Sequence, residues 1–272
     1  LVDPAAGSIL SIAEALTNIV WAPLSEGLDS VSLSANWMWP CKNEGEDARL
    51  YRAVEACSDF ACSLGINIPT GKDSLSMTQK YGKDKVYSPG TVIISAGAEV
   101  SDIRKVVSPV LRTGVDSMVY YIDFSFDKLK LGGSAFAQSL DKIGKEVPTV
   151  QDSEYFANAF NAVQELINKE LILAGHDISA GGMITTMLEM NFANTEGGLE
   201  VSLDEIPEKD LVKILFSENP GILIQVEKTD EVEKILKKAG VAFIRLARPC
   251  DERHLLIHKD GADYQFFIDH LR

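Results

Sequence analysis

The 272 residues carry 26 Lys and Arg against 40 Asp and Glu, a formal charge of −14, with 46% hydrophobic and 24% charged side chains. That length exceeds one ordinary core of about 150 residues and implies two lobes, and the apolar content excludes a largely disordered chain. So large a negative surplus repels phosphate backbones and anionic lipid, which argues against a general nucleic-acid or membrane-surface binder; a phosphorylated ligand here calls for a divalent cation or a helix N-terminus.

Leu1-Val2-Asp3-Pro4 lacks an initiator Met and the basic-then-apolar layout of a signal peptide, and reads as a cut within a longer polypeptide. Pro4 opens a predicted helix over 4–20, with Ile9, Ile12, Ala13, Leu16 and Val20 on one stripe. The alternation of Val31, Leu33 and Ala35 predicts a strand over 31–37. A second helix is expected over 46–64, with Leu50, Val54, Cys57, Phe60 and Ala61 inward and Glu44, Glu46 and Asp47 as charges favourable to its N-terminus. Between them, Trp37, Trp39 and Pro40 read as a core or interface plug. After a short extended stretch, residues 69–74 read as a polar turn. Residues 91–100, apolar until Glu99, read as a strand central in a sheet, and 101–115 as a linker.

In the second half, a strand is predicted over 118–124, a helix from the Gly132-Gly133 turn to about 143, and a long helix over 154–173. Residues 174–179 read as a loop leading to a helix over 182–192. Strands are expected at 199–203, 221–226 and 242–247, helices at 209–216 and 231–239, and a terminal hairpin pairs 254–259 with 264–268 around Asp260-Gly261. The fold class is thus α+β (mixed α/β), with lobes over 1–114 and 115–272. No apolar run approaches the roughly 18 uncharged residues of a membrane span. The spacing of Cys41, Cys57, Cys62 and Cys250 suits neither a metal site nor a secreted scaffold, and predicts buried reduced thiols in a cytoplasmic protein.

Four segments could carry chemistry. Glu14 and Asn18, four apart on the opening helix, point two oxygen donors the same way, as an Mg²⁺ site needs; a solvated polar pair is the plainer reading. His176-Asp177-Ile178-Ser179-Ala180-Gly181-Gly182 precedes a helix, where backbone amides can hold phosphate and Asp177 could reach a cation. It reads equally as a tight turn capped by Ser179, with His176 orienting the loop. Leu131-Gly132-Gly133-Ser134 is compatible with phosphate but lacks a full nucleotide fingerprint. Thr70-Gly71-Lys72-Asp73-Ser74 ends like a P-loop without its earlier glycine, so Lys72 reads as a phosphate contact or a solvated turn residue. No Ser-His-Asp arrangement or zinc spacing is present.

Taken in order, Glu14-Ala15-Leu16-Thr17-Asn18, Leu33-Ser34-Ala35-Asn36-Trp37-Met38, Gly45-Glu46-Asp47-Ala48, Pro69-Thr70-Gly71-Lys72-Asp73-Ser74-Leu75-Ser76-Met77 and Gly175-His176-Asp177-Ile178-Ser179 resemble the second half of the synthetase core of large, single-chain phosphoribosylformylglycinamidine synthases. The resemblance covers nearly the whole chain. It implies lobes like those of aminoimidazole ribonucleotide synthetase, the first one truncated at its N-terminus. It also implies a share in the ATP- and glutamine-dependent conversion of formylglycinamide ribonucleotide to formylglycinamidine ribonucleotide in purine synthesis. The cofactors implied are Mg²⁺ and ATP or ADP, and the partners are the remaining synthetase half and a glutaminase domain of the same polypeptide.

By the same resemblance Glu14, Asn18 and Asp177 are metal ligands and Ser179 an ATP contact, while no catalytic residue and no role for Lys72 can be carried over. Ala180 stands where many relatives have Asp, and another aspartate ligand of the family lies upstream of residue 1, so the implied metal set is incomplete. Whether this half builds a catalytic or a structural nucleotide site stays open. A non-catalytic nucleotide-holding scaffold, and a free-standing ATP-dependent enzyme of the aminoimidazole ribonucleotide synthetase type, are the competing readings. Turnover by this chain alone would favour the last, and ADP that survives purification the scaffold.

Overall fold

The computed structural model describes residues 2–272; Leu1, the first residue of the N-terminal reading, lies outside them. Helix α1 spans Pro4–Ile19, started by Asp3 Oδ1 accepting from the amides of Ala5 (2.8 Å) and Ala6 (3.0 Å). Its inner stripe, Ile12, Ala13 and Leu16, is fully buried. Strand β1 (Ser32–Met38) and helix α2 (Glu46–Ser63) follow. The buried face of α2 is Ala53, Cys57, Phe60 and Ala61, whereas Val54, expected inside, is exposed. Trp39 is buried and Trp37 half-buried beside it, their ring centroids 6.5 Å apart.

The first half differs from expectation at its sheet. Residues expected as a polar turn form β2 (Asn67–Ser74), parallel to β1 in a three-stranded sheet of order β2-β1-β5. Nearly every β2 side chain is exposed, so this edge strand carries no hydrophobic alternation to announce it. Gly71 is required there: a Cβ would stand 2.0 Å from the Ala35 carbonyl oxygen. A small exposed hairpin, β3 (Thr78–Tyr81) with β4 (Asp84–Tyr87), was not signalled either. Strand β5 (Thr91–Gly97) is the other edge of the sheet and not its centre; Ile94 and Ala96 face the core while Ile93 is half-exposed.

The second half is built on a seven-stranded sheet of order β12-β11-β8-β10-β6-β9-β7. Its members in chain order are β6 (Met118–Asp123), β7 (Ala174–Ile178), β8 (Gly198–Ser202), β9 (Gly221–Val226), β10 (Phe243–Cys250), β11 (His254–Lys259) and β12 (Ala262–Phe267). All pairings are antiparallel except β8 with β11. The helices are α3 (Ala135–Ser139), α4 (Ser153–Asn168), α5 (Gly182–Phe192), α6 (Leu211–Phe216) and α7 (Thr229–Lys238). Helices α4 and α7 contribute to one core cluster, α5 and α6 to a second.

Three expectations in this half are corrected. The segment expected as a loop over 174–179 is strand β7, an edge strand whose polar His-Asp pair masks its pairing with β9. Helix α3 stops at Ser139 because Leu140 and Ile143 meet no core and are exposed, and Asp141 turns left-handed. Helix α4 ends at Asn168, where Glu170 adopts a positive φ of 55°. Of the four free cysteines only Cys57 is buried, which pushes its thiol up to about 11; Cys62 is exposed, on the outer face of α2.

The two halves share a core. Ile12 and Leu16 of α1 and Phe60 of α2 belong to the same buried cluster as Phe156, Phe160 and Val163 of α4, with the Phe60 and Phe156 rings edge to face at 5.8 Å. Residues 101–115, expected as a linker, lack regular structure apart from a short 3₁₀ turn at Ile103–Lys105, yet are not a loose tether. Leu111 is 1% exposed, and the Gln225 side chain accepts from the Arg112 amide and donates to the Arg112 carbonyl, both at 2.8 Å.

Candidate functional site

A cavity of about 290 Å³ lies between α1 and three turns of the second half: residues 130–134, 178–180 and 218–220. On α1 the wall is formed by Gly7, Leu10, Glu14 and Thr17, positions three or four apart that share one helix face. Glu14 is an exposed residue, but partial desolvation of its carboxyl, followed by repulsion from Asp177 and then Glu218, raises its pKa above the ordinary glutamate value. A helix packed on the three-stranded sheet and the edge strand of the seven-stranded sheet thus bring two carboxylates within mutual repulsion.

Asp177 is 7% exposed near the end of β7, where it pairs with Ile222. Its carbonyl accepts from Thr186 Oγ1 at 3.0 Å, anchoring the strand end to α5. His176 sits behind it, Nδ1 2.9 Å from the Asp177 carbonyl oxygen and Nε2 3.1 Å from a Glu189 carboxylate oxygen. Burial lowers the His176 pKa, but the hydrogen bond and charge of Asp177, with Glu189, outweigh it and the net shift is upward. His176 does not line the cavity, and it belongs to strand β7 and not to a loop.

Ser179 does line the cavity, and it does not cap α5. That N-cap is Gly181, left-handed at φ 91°. Gly182 is also at positive φ, and a Cβ on it would stand 2.6 Å from the Leu215 carbonyl oxygen, so the paired glycines let the start of α5 press against the end of α6. The second glycine pair is likewise occupied by the chain itself. The Gly132 and Gly133 amides donate to the carbonyls of Glu146 (2.8 Å) and Ile143 (2.7 Å). These amides are not open phosphate donors.

The structure therefore puts Glu14 and Ser179 on the cavity wall, keeps the buried Asp177 off that wall but within repulsion of Glu14, and leaves two candidates apart. Asn18 is exposed, does not line the cavity, and donates its side-chain amide to the Glu14 carbonyl at 2.8 Å. Lys72 is exposed on β2, 3.4 Å from Ser74 Oγ, away from the cavity. Two wall residues had no role in the sequence reading. Lys130 is ion-paired with Asp127 at 2.6 Å, and the Glu218 carboxylate receives backbone amides from two of the turns. Among the described residues, no group of three His, Cys, Asp or Glu is arranged to hold a metal by itself.

Residues 1–99 match the FGAR-AT PurM_N-like domain, and residues 118–255 match the C-terminal domain of AIR synthase related proteins. The chain is 37% identical to a probable phosphoribosylformylglycinamidine synthase of Caenorhabditis elegans over 96% of its own length and 21% of the relative's. It is 41% identical to the probable chloroplastic/mitochondrial enzyme of Arabidopsis thaliana (96% and 19%) and 38% to the human phosphoribosylformylglycinamidine synthase (90% and 18%). The chain spans about a fifth of the length of these curated relatives. Among solved structures, Thermotoga maritima PurL complexed with FGAR superposes with a TM-score of 0.76 at 17% identity, covering 99% of this chain and 43% of that one. The same protein complexed with ATP gives 0.72 at 14%, covering 98% and 41%. Escherichia coli HypE, a hydrogenase maturation protein, gives 0.64 at 17%, covering 97% and 80%.

Proposed function

The chain belongs to the AIR synthase-related family, and we propose that it supplies a Mg-nucleotide site to a phosphoribosylformylglycinamidine synthase. In this reading residues 1–114 and 115–272 are the partial N-terminal-type and the C-terminal-type synthetase lobes. The remaining synthetase half and a glutaminase domain belong to the same polypeptide, acting in the cytoplasm on formylglycinamide ribonucleotide, ATP and glutamine. No helix among the described residues is long and apolar enough to cross a membrane. The observation that carries the proposal is that Glu14, from the first half of the chain, and Ser179, from the second, line one cavity, while the buried Asp177, two residues before Ser179, lies near enough to repel the Glu14 carboxylate.

The donor set fits magnesium. Glu14 and Asp177 are hard oxygen donors whose mutual repulsion a divalent cation relieves, and Asn18, one helical turn along, joins them only once its side chain turns off the Glu14 carbonyl and toward the ion. Magnesium is ordinarily held by one or two carboxylates with phosphates and water, so the lack of an all-protein cage suits it. When bound, the ion offsets phosphate charge, the main requirement in phosphoryl transfer from ATP to an amide oxygen. The chain's own part is to place Glu14, Asn18 and Asp177 on the ion and Ser179 on the phosphates. Titration calorimetry of Mg-ADP into the chain tests this. Asp177→Asn or Glu14→Ala should weaken binding about 10- to 100-fold, and unchanged affinity in both variants would refute the assignment.

A further inference from the structure

The turn between α6 and β9 holds a carboxylate that the proposed ligand set does not use. Glu218 Oε1 accepts two backbone hydrogen bonds, from Ala135 in the first turn of α3 and from Gly181 at the start of α5, each at 2.8 Å. Those amides adjoin two separate turns that both line the cavity and are linked by no pairing of strands. The base of Glu218 is itself fixed. Ser217 is 3% and Asn219 2% exposed; Asn219 donates to Ser125 Oγ and the Lys128 carbonyl, both at 3.1 Å, and accepts from the Lys130 amide at 3.3 Å. The stack of Phe136 on Phe216, centroids 4.6 Å apart, lies alongside. One oxygen on a rigid base therefore measures the gap between the two turns.

We propose that Glu218 is a positioning residue, whose carboxylate ties the 131–135 turn to the 179–181 turn and so sets the width of the nucleotide site. The proposal rests on the nucleotide reading for its functional consequence. Helix α3, five residues long with Leu140 exposed at its end, has little burial of its own to hold its turn in place, so an acceptor oxygen at the right reach is what fixes it. Both amides that Glu218 engages are withdrawn from the ligand, so its contribution is spacing and not contact.

Three substitutions separate spacing from charge. Glu218→Gln keeps an acceptor oxygen at the same reach without charge; Glu218→Asp keeps the charge but is one methylene too short to span both amides; Glu218→Ala removes both. Calorimetry with Mg-ADP on the full chain should place Glu218→Gln within about threefold of wild type, Glu218→Asp weaker, and Glu218→Ala weaker by about 10- to 100-fold. Amide hydrogen exchange on the ligand-free chain should be slow at Ala135 and Gly181 in wild type and Glu218→Gln, and fast at one or both in Glu218→Asp and Glu218→Ala. If Glu218→Asp binds and protects better than Glu218→Gln, charge governs and the proposal is overturned; unchanged exchange in Glu218→Ala overturns it equally. Should Glu218→Ala fail to fold, the order of the Gln and Asp variants decides. A wild-type chain that binds no Mg-ADP refutes the nucleotide reading, and exchange at the two amides then decides the tie between the turns on its own.

Discussion

Replacing Gln164 by Met should unfasten the two halves of the chain. Gln164 is 5% exposed on α4, and all its polar atoms are spent on the segment that leaves α1. Nε2 donates to the carbonyls of Val20 (2.6 Å) and Ala22 (3.1 Å), and Oε1 accepts from the Leu24 amide (2.8 Å). Methionine keeps the length and most of the volume, so no sizeable cavity opens. The loss comes from three backbone groups left without partners, one of them the amide of the buried Leu24. At about 1–1.5 kcal/mol for each group, the chain should lose roughly 3–5 kcal/mol, equivalent to about 5–9 °C in Tm for a chain of this size. Urea unfolding and calorimetry would measure both. Because α1 carries Glu14, Mg-ADP affinity should fall as well, though no site residue has changed. A loss below about 1 kcal/mol would show that these bonds are replaced by water, and that the shared core alone holds the halves in register.

Gly182→Ala should cost about 2–4 kcal/mol, since a residue at φ 75° would drive its Cβ to 2.6 Å from the Leu215 carbonyl oxygen; thermal unfolding within 1 kcal/mol of wild type would contradict the packing argument. The raised pKa of Glu14, from partial desolvation and then from Asp177 and Glu218, means that its ionised form is disfavoured in the folded chain. Its contribution is fully favourable below the ordinary value of 4.5 and is lost as pH rises through the raised one. Glu14→Gln should therefore be slightly more stable than wild type at pH 7 in the presence of EDTA, the gain kept small by solvent screening of this exposed side chain and fading toward pH 4. A gain that grows as pH falls would reverse the sign of the argument.

The elements that announced themselves are those with a burial pattern. Helix α1 has a cap, a proline and a fully buried stripe, and its predicted end lies one residue beyond the observed one. The run from Gly221 to Val226 is buried at every position, and its strand was read at its observed bounds. Strands β2 and β7 are edge strands with polar runs, and an edge strand needs only backbone to pair. The error at β7 bears on the site, because His176 and Asp177 belong to an ordered strand, and their positions follow from its register with β9. Glu14 and Asp177 stood out by residue type and setting. Asn18 shared that signal, yet helical spacing alone does not say which of two neighbouring positions faces a cavity. Glu218 was silent, since its two bonds reach 37 and 83 residues along the chain to backbone amides that any residue carries.

Charge and amide usage together narrow how this cavity can take a phosphate. The chain carries a net −14, and Glu14, Asp177 and Glu218 add a local negative field, so a bare anion is opposed both at long range and at the wall. Two routes could overcome this: backbone amides at glycine turns, or a cation. The first is largely closed, because Gly132 and Gly133 donate to Glu146 and Ile143, Gly182 donates to Ser179, and Gly181 donates to Glu218. The glycines serve close packing and left-handed turns, not an open phosphate nest. What the cavity offers instead is the Glu14 carboxylate on its wall, repelled by Asp177 behind it in a way a divalent ion would discharge, with the Ser179 hydroxyl also on the wall. Nucleotide affinity should therefore collapse when magnesium is chelated, by well over the 10-fold expected for an amide-lined site; calorimetry with ADP in EDTA against ADP with magnesium measures the ratio, and equal affinities would mean that the amides, not an ion, hold the phosphates.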